Sequence, residues 1–215
     1  MNVVAVIDYG MGNLRSVSKA LEHVSGGVGV RVTYDPDLIR RADRVVFPGV
    51  GALRDCVAEL SRLGLDEVIR ECAATKPFLG ICLGMQALLD FSEENGGTSG
   101  LGILPGRVMG FPVPLVDPVT KQRLKVPHMG WNEVHQTHPH SLWEGIEQDS
   151  RFYFVHSYYA VPSAADEVAA TVHYGREVAV ALARDNIFAV QFHPEKSQHA
   201  GLTLLANFMD WDGQG

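Results

Sequence analysis

The chain is short of residues that hold a protein together by anything but a core. Its 215 residues include only 3 cysteines. Cys56, Cys72 and Cys82 are too widely spaced for a disulfide framework, and no C-x-x-C offers zinc or redox chemistry. That usage suits a reducing compartment. No uncharged apolar run approaches the roughly 20 residues of a membrane helix. The opening "MNVVAVIDYG" lacks a basic region and leads into polar residues, unlike a signal peptide. Positive charge is also scarce. Lys and Arg number 18 against 25 Asp and Glu, and the net charge of −7 disfavours non-specific nucleic-acid binding. Phosphate-loop motifs fail as well. Arg54 stands where "GVGALR" would need its third glycine, Arg15 does the same in "GMGNLR", and no G-x-x-x-x-G-K-[ST] exists. These absences describe a cytosolic, soluble chain without saying what it does.

What is present is apolar patterning. Hydrophobic residues make up 46% of the chain. A domain of this size buries on the order of 70% of its unfolded surface. We expect one domain over residues 1–215. "VVAVID" (3–8), "VRVTY" (30–34), "RVVFPG" (44–49) and "PFLGI" (77–81) read as buried parallel strands. Between them, Leu14, Val17, Leu21 and Val24 share one helical face, and Asp37 is a candidate N-cap for a brief helix. Residues 52–74 read as helical with a break near Gly64, and Met85 to Phe91 as another helix. This alternation predicts an α/β, doubly wound, mostly parallel sheet. The second half changes style. Strands are expected at 106–112, 130–135, 151–157, 168–173, 178–184 and 187–192, several joined by tight turns such as "ARDN" (183–186) into antiparallel hairpins. A last helix at 199–210 carries Leu202, Leu205 and Phe208.

Ligands of such sheets bind at the edge where the parallel strands end. "GICLGM" has the form of a nucleophile elbow with Cys82 in place of serine. Its flanking glycines would let the backbone take a strained turn. A helix N-terminus there would favour thiolate over thiol. The backbone N–H of Leu83 would face outward to an oxyanion. The alternative is a buried structural thiol beside a glycine-rich turn. Cys56 and Cys72 lie in helical segments without such glycines and read as core.

"FHPEKS" (192–197) supplies partners. Across Pro194 in an extended segment, His193 and Glu195 would point the same way, so Glu195 would orient the imidazole of His193. The competing reading is a structural histidine. "FPGVGA" (47–52) is a glycine turn after a strand, suited to donate a second backbone N–H to the oxyanion. "HQTHPH" (135–140) tempts a metal reading but has no carboxylate at ligand spacing, and we read it as a solvated loop. "VPHMGWN" (126–132) and "YFVHSYY" (153–159) read as core strands or as contact surfaces bearing Trp131 and Tyr158.

Together, "DYGMGN", "PGVGA", "GICLGMQ", "VPHMGWN", "FVHSYY" and "FHPEKS" resemble the class I (triad) glutamine amidotransferases over essentially the whole chain. Met85, "DYGMGN" and "VPHMGWN" are most similar to the glutaminase subunits of imidazole glycerol phosphate synthase. The resemblance implies a flavodoxin-like fold, no cofactor and no metal. It implies Cys82 as nucleophile, His193 as acid/base and Glu195 as orienter. Leu83, Val50 and Gly51 would form the oxyanion hole. Gln86, Ser157 and Tyr158 would hold glutamine. Met129, Trp131, Asn13 and Lys196 would face a cyclase partner in a heterodimer. That partner would use the ammonia to make imidazole glycerol phosphate and 5-aminoimidazole-4-carboxamide ribonucleotide (AICAR). A free-standing cysteine hydrolase and a non-catalytic subunit of the same shape are the rival readings. The glycine-rich 25–30 stretch and the 113–125 segment carry no recognisable signature.

Overall fold

The structure, a computed structural model, describes residues 2–214. The first half alternates β1 (Val3–Ile7), α1 (Leu14–Val24), β2 (Gly29–Thr33), α2 (Pro36–Arg41) and β3 (Arg44–Gly49). It continues through α3 (Leu53–Leu63), α4 (Leu65–Ala73), β4 (Phe78–Cys82) and α5 (Leu83–Leu88). Val17 and Leu21 bury the inner face of α1 as the spacing predicts. Gly64, at φ 66°, separates α3 from α4. That left-handed conformation suits glycine, and it ends one helix as it starts the next.

Several boundaries differ from the sequence reading, a helix cap and a helix end among them. The N-cap of α2 is Asp35, not Asp37: its carboxylate accepts from the backbone N–H of Asp37 and Leu38. Pro36 occupies the first helical position, where its missing N–H costs nothing. The helix expected from Met85 to Phe91 begins at Leu83 and stops at Leu88. Phe91 instead opens the short strand β5 (Phe91–Ser92), which pairs with β6 (Thr98–Ser99).

The second half adds β7 (Gly106–Gly110), the hairpin β8 (Leu115–Val116) and β9 (Arg123–Leu124), β10 (His128–Glu133) and β11 (His135–Gln136). Then come β12 (Arg151–His156), β13 (Tyr158–Pro162), β14 (Val168–His173), β15 (Glu177–Arg184), β16 (Ile187–Val190) and α6 (Gln198–Asp210). The hairpin accounts for the segment 113–125. β13 departs from the sequence reading: the aromatic run reads as one strand, but a single bent residue, Ser157, separates β13 from β12.

Among the described residues the main sheet has 12 strands. Its core order is β2-β1-β3-β4-β16, all neighbours parallel. That is the 2-1-3-4-5 order of flavodoxin-like sheets. β15 then pairs antiparallel with β16, and β13 antiparallel with β15. β10 and β12 form a separate antiparallel ribbon. Apolar clusters fill both faces of the main sheet, one built on Val4, Leu79 and Phe188, the other on Ile7, Phe47 and Phe78. Continuous burial explains why the parallel strands read as unbroken apolar runs. Among the described residues no helix is long and apolar enough to cross a membrane.

Candidate active site

β4 ends on Cys82 and α5 begins on the next residue, so the chain reverses direction without a loop. Cys82 takes φ 55° and ψ −110°, a region that side-chain-bearing residues rarely occupy. The glycines around it permit close packing. A Cβ on Gly84 would overlap the carbonyl oxygen of Phe47 in β3. One on Gly80 would stand 3.2 Å from Ala189 Cβ, Leu88 Cδ1 and the Met85 nitrogen. One on Gly49 would overlap the Tyr9 hydroxyl and lie 2.9 Å from Leu83 Cβ. The elbow and the end of β3 therefore touch through glycine backbones. Cys56 and Cys72 are buried in α3 and α4, as core thiols.

After β16 the chain leaves the sheet and docks on β12. His193 N–H donates to the Tyr153 carbonyl at 2.9 Å. The Ser197 hydroxyl donates to the His193 carbonyl at 2.6 Å and accepts from Tyr153 N–H at 3.0 Å. His193 is extended, but Pro194–Lys196 form a 3-10 turn. The geometry that aligns His193 with Glu195 is thus a tight turn rather than the expected extended segment. The result is the same pairing: Nδ1 of His193 lies 2.9 Å from Glu195 Oε1, with the two side chains 2% and 1% exposed. A carboxylate only accepts, so Nδ1 carries the proton. Nε2 of His193 is buried and makes no hydrogen bond. Burial pulls the imidazole down, yet Cys82 and Glu195 outweigh it and raise its pKa to about 10.

Cys82 and His193 line one cavity of about 320 Å³. Its wall also includes Val50, Gly51, Leu83, Gln86, Ser157 and Tyr158. Every residue expected to contact glutamine or its oxyanion is therefore gathered there. Gln86 is 6% exposed. Its Nε2 donates to the Tyr158 carbonyl at 3.1 Å and to Gln191 Oε1 at 2.8 Å.

Three contributors were not singled out from the sequence. Glu94 lines the cavity and accepts from Leu53 N–H at 2.7 Å, tying down the start of α3 just after Val50 and Gly51. It comes from a 3-10 turn of low pattern content. Gln191 is fully buried, and its Nε2 lies 3.7 Å from Cys82 Sγ. A glutamine inside the apolar run "IFAVQF" was the available signal. His156 lines the cavity beside Ser157.

The expected partner-facing residues lie outside this cavity. Met129 and Trp131 are 62% and 42% exposed on β10. Trp131 pairs in register with Tyr153 and packs edge-on to its ring, over which Lys196 Nζ sits at 5.8 Å. Asn13 is half-buried at the start of α1. In "HQTHPH", His135 is exposed and paired with Asp149, but His140 departs from the solvated-loop reading. Its ring packs 4.6 Å from Phe188 and 5.4 Å from Trp211. Among the described residues no group of three or more His, Cys, Asp or Glu is placed to hold a metal.

Comparison with known proteins gives the same picture. The glutamine amidotransferase class-I family matches residues 5–211. The imidazole glycerol phosphate synthase subunit HisH of Nitrosococcus oceani is 64% identical, over 99% of both chains. The subunit of that name from Methylococcus capsulatus is 61% identical, over 99% of this chain and 98% of its own. Among solved structures, PurLQS from Thermotoga maritima superposes with a TM-score of 0.72 at 16% identity, over 97% of this chain and 98% of that one. With the elbow, the His–Glu pair and these relatives in hand, the chain belongs to the class-I glutamine amidotransferases, among the HisH subunits of imidazole glycerol phosphate synthase.

Proposed function

We propose that the chain works as one glutaminase domain in which Cys82 is the nucleophile, His193 the acid/base and Glu195 its orienter. The observation that carries this is the meeting of a positive-φ cysteine and a carboxylate-held imidazole in one cavity. Cys82 Sγ attacks the side-chain amide carbon of glutamine, and the carbonyl becomes an oxyanion. Backbone N–H groups of Leu83 and of the Val50–Gly51 turn stabilise it. One such donor is typically worth about 10²–10³ in turnover. The imidazolium of His193 passes its Nε2 proton to the leaving nitrogen, and ammonia departs. His193 then takes a proton from water, which attacks the glutamyl thioester. Glutamine and water become glutamate and ammonia, and Cys82 is restored. Glu94 is the carboxylate placed to meet the α-ammonium of the substrate, while Ser157, Tyr158 and the free Oε1 of Gln86 face its other polar groups.

The ammonia goes to a cyclase subunit, with which the chain forms a heterodimer. There it is used to make imidazole glycerol phosphate and AICAR in histidine biosynthesis. Names of the relatives support this. A closed protein–protein contact has a physical purpose, because ammonia released into water protonates. Exposed Met129 and Trp131, backed by Tyr153 and Lys196, are suited to that contact, with Asn13 at its margin. Three unpaired cysteines fit a cytoplasmic location.

The test is Cys82→Ala in complex with the cyclase subunit. Glutamine-dependent synthesis is lost, and synthesis from added ammonium salt persists. Glutamine hydrolysis by that variant complex would overturn the assignment. Substantial hydrolysis by the isolated wild-type chain would favour a free-standing hydrolase.

A further inference from the structure

A line of hydrogen-bonded polar groups, broken only by the backbone carbonyl of Tyr158, runs from half-buried Asn132 on β10 to Cys82. Asn132 Nδ2 lies 3.3 Å from His128 Nε2. His128 Nδ1 lies 2.9 Å from His156 Nε2, and His156 Nδ1 lies 2.8 Å from the Tyr158 carbonyl. Gln86 Nε2 reaches that same carbonyl and Gln191 Oε1, and Gln191 Nε2 reaches Cys82 Sγ. His128, His156, Gln86 and Gln191 are all buried.

The line admits one set of proton positions. Asn132 Nδ2 also donates to the His173 carbonyl at 3.1 Å. A carbonyl only accepts, so the Asn132 amide has one orientation, and His128 Nε2 must accept from it. The His128 proton then sits on Nδ1 and points at His156 Nε2. The His156 proton sits on Nδ1 and points at Tyr158. Read from the other end, the Tyr158 carbonyl demands the same His156 tautomer. It also fixes the amide of Gln86, which in turn directs the amide N–H of Gln191 at sulfur. Burial supports the neutral state of both rings, lowering His128 to about 3 and His156 to about 4.

We infer that Gln191 is a positioning residue for Cys82, held in one orientation by the hydrogen-bonded line Asn132–His128–His156–Tyr158–Gln86. The inference rests on Cys82 being the nucleophile. An amide N–H on the sulfur fixes its aim, which matters for attack and less for binding glutamine. The line starts on the strand that carries Met129 and Trp131.

The experiment uses the complex with the cyclase subunit. Gln191→Leu, close in volume, is expected to lower glutaminase kcat about 10–100-fold, as for a lost hydrogen bond to a charged group, with KM for glutamine within about threefold. His156→Asn retains a donor for Tyr158 but, being shorter, places no acceptor where His156 Nε2 meets His128 Nδ1, and is expected to lower kcat more mildly. On the Gln191→Leu background the His156→Asn loss disappears, because the line is already cut. Nitrogen-15 NMR of the histidine-labelled chain shows both rings neutral with the proton on Nδ1. Unchanged kcat in Gln191→Leu, fully additive losses in the double variant, or an Nε2-protonated tautomer at either ring overturns the inference. Cys82→Ala separates the two readings. If it is inactive while Gln191→Leu is unaffected, only the positioning role fails. If Cys82→Ala still hydrolyses glutamine, the underlying assignment fails.

Discussion

Gly84 packs its Cα against the backbone of Phe47 so closely that any Cβ would overlap the Phe47 carbonyl oxygen. The contact joins the first turn of α5 to β3, and so fixes the distance between Cys82 and the Val50–Gly51 turn. Backbone on both sides cannot swing away as a side chain would. Gly84→Ala is expected to cost about 1–3 kcal/mol, the usual range for overpacking. In a chain of this length that lowers the melting temperature by about 2–4 °C per kcal/mol. Cys82 should react more slowly with a glutamine-mimicking chloroketone in the folded variant complex. A variant with unchanged melting temperature and unchanged inactivation rate would show that the contact is not needed.

The same contact explains what could be read from sequence. Glycines flanking a cysteine after an apolar strand signal an elbow because only close backbone approach demands them. Parallel strands were legible because burial on both faces leaves no polar alternation. The His193–Glu195 pairing was legible from their separation by one residue, though the turn that creates it was not. Glu94, Gln191 and His156 were harder to find. Each is placed by contacts between segments far apart in the chain: Leu53 with Glu94, Cys82 with Gln191, His128 with His156. No local pattern encodes such pairs. The break at Ser157, which creates β13, was equally invisible within a continuous aromatic run.

Glu94 has one observed contact and one proposed task, and substitution can separate them. Its carboxylate accepts from Leu53 N–H at 2.7 Å and lines the cavity. Glu94→Gln keeps an oxygen for Leu53 but removes the negative charge that meets a substrate ammonium. Its KM for glutamine is expected to rise about 10–100-fold, from the roughly 1.5–3 kcal/mol of a hydrogen bond to a charged group, with kcat nearly unchanged. Glu94→Ala also frees the start of α3 next to the Val50–Gly51 turn, so kcat is expected to fall as well. Steady-state kinetics of both complexes decide the point. Equal KM in wild type and Glu94→Gln would remove Glu94 from substrate recognition.

Under the proposed mechanism, Glu195 is expected to help set the alkaline limb of the pH profile. Burial disfavours the His193 imidazolium, but Cys82 and Glu195 together raise it to about 10. A raised value means the proton needed by departing ammonia stays on His193 through neutral pH and is lost only as pH approaches 10. Glu195→Gln removes one of the raising charges, so the alkaline limb of glutaminase kcat/KM moves to lower pH. It also permits the wrong tautomer, which lowers kcat by up to about 10⁴. The pH profiles of the two complexes test this. An alkaline limb that stays in place while kcat falls would mean that Glu195 orients the ring without influencing its charge.

His140 gives a stability prediction with a definite sign. Burial, then the nearby His138, lowers its pKa from 6.5 to about 4. The unfolded chain therefore binds a proton near pH 6.5 that the folded chain refuses until about pH 4. Stability present above pH 6.5 is lost as pH falls between those values, by up to about 1.4 kcal/mol per pH unit for each such group. His156 and His128, lowered mainly by burial, act in the same direction, the latter down to about pH 3. His140→Phe keeps a ring against Phe188 and Trp211 but loses the acceptor for Leu142 N–H at 3.1 Å. It should be less stable by about 1 kcal/mol at pH 7, the usual size of one hydrogen bond. Between pH 6.5 and 4.5 it should lose stability less steeply than wild type, by one proton's worth. Urea unfolding across that range measures both quantities. Parallel stability curves for the two proteins would mean that His140 takes up its proton in the folded chain as readily as in the unfolded one.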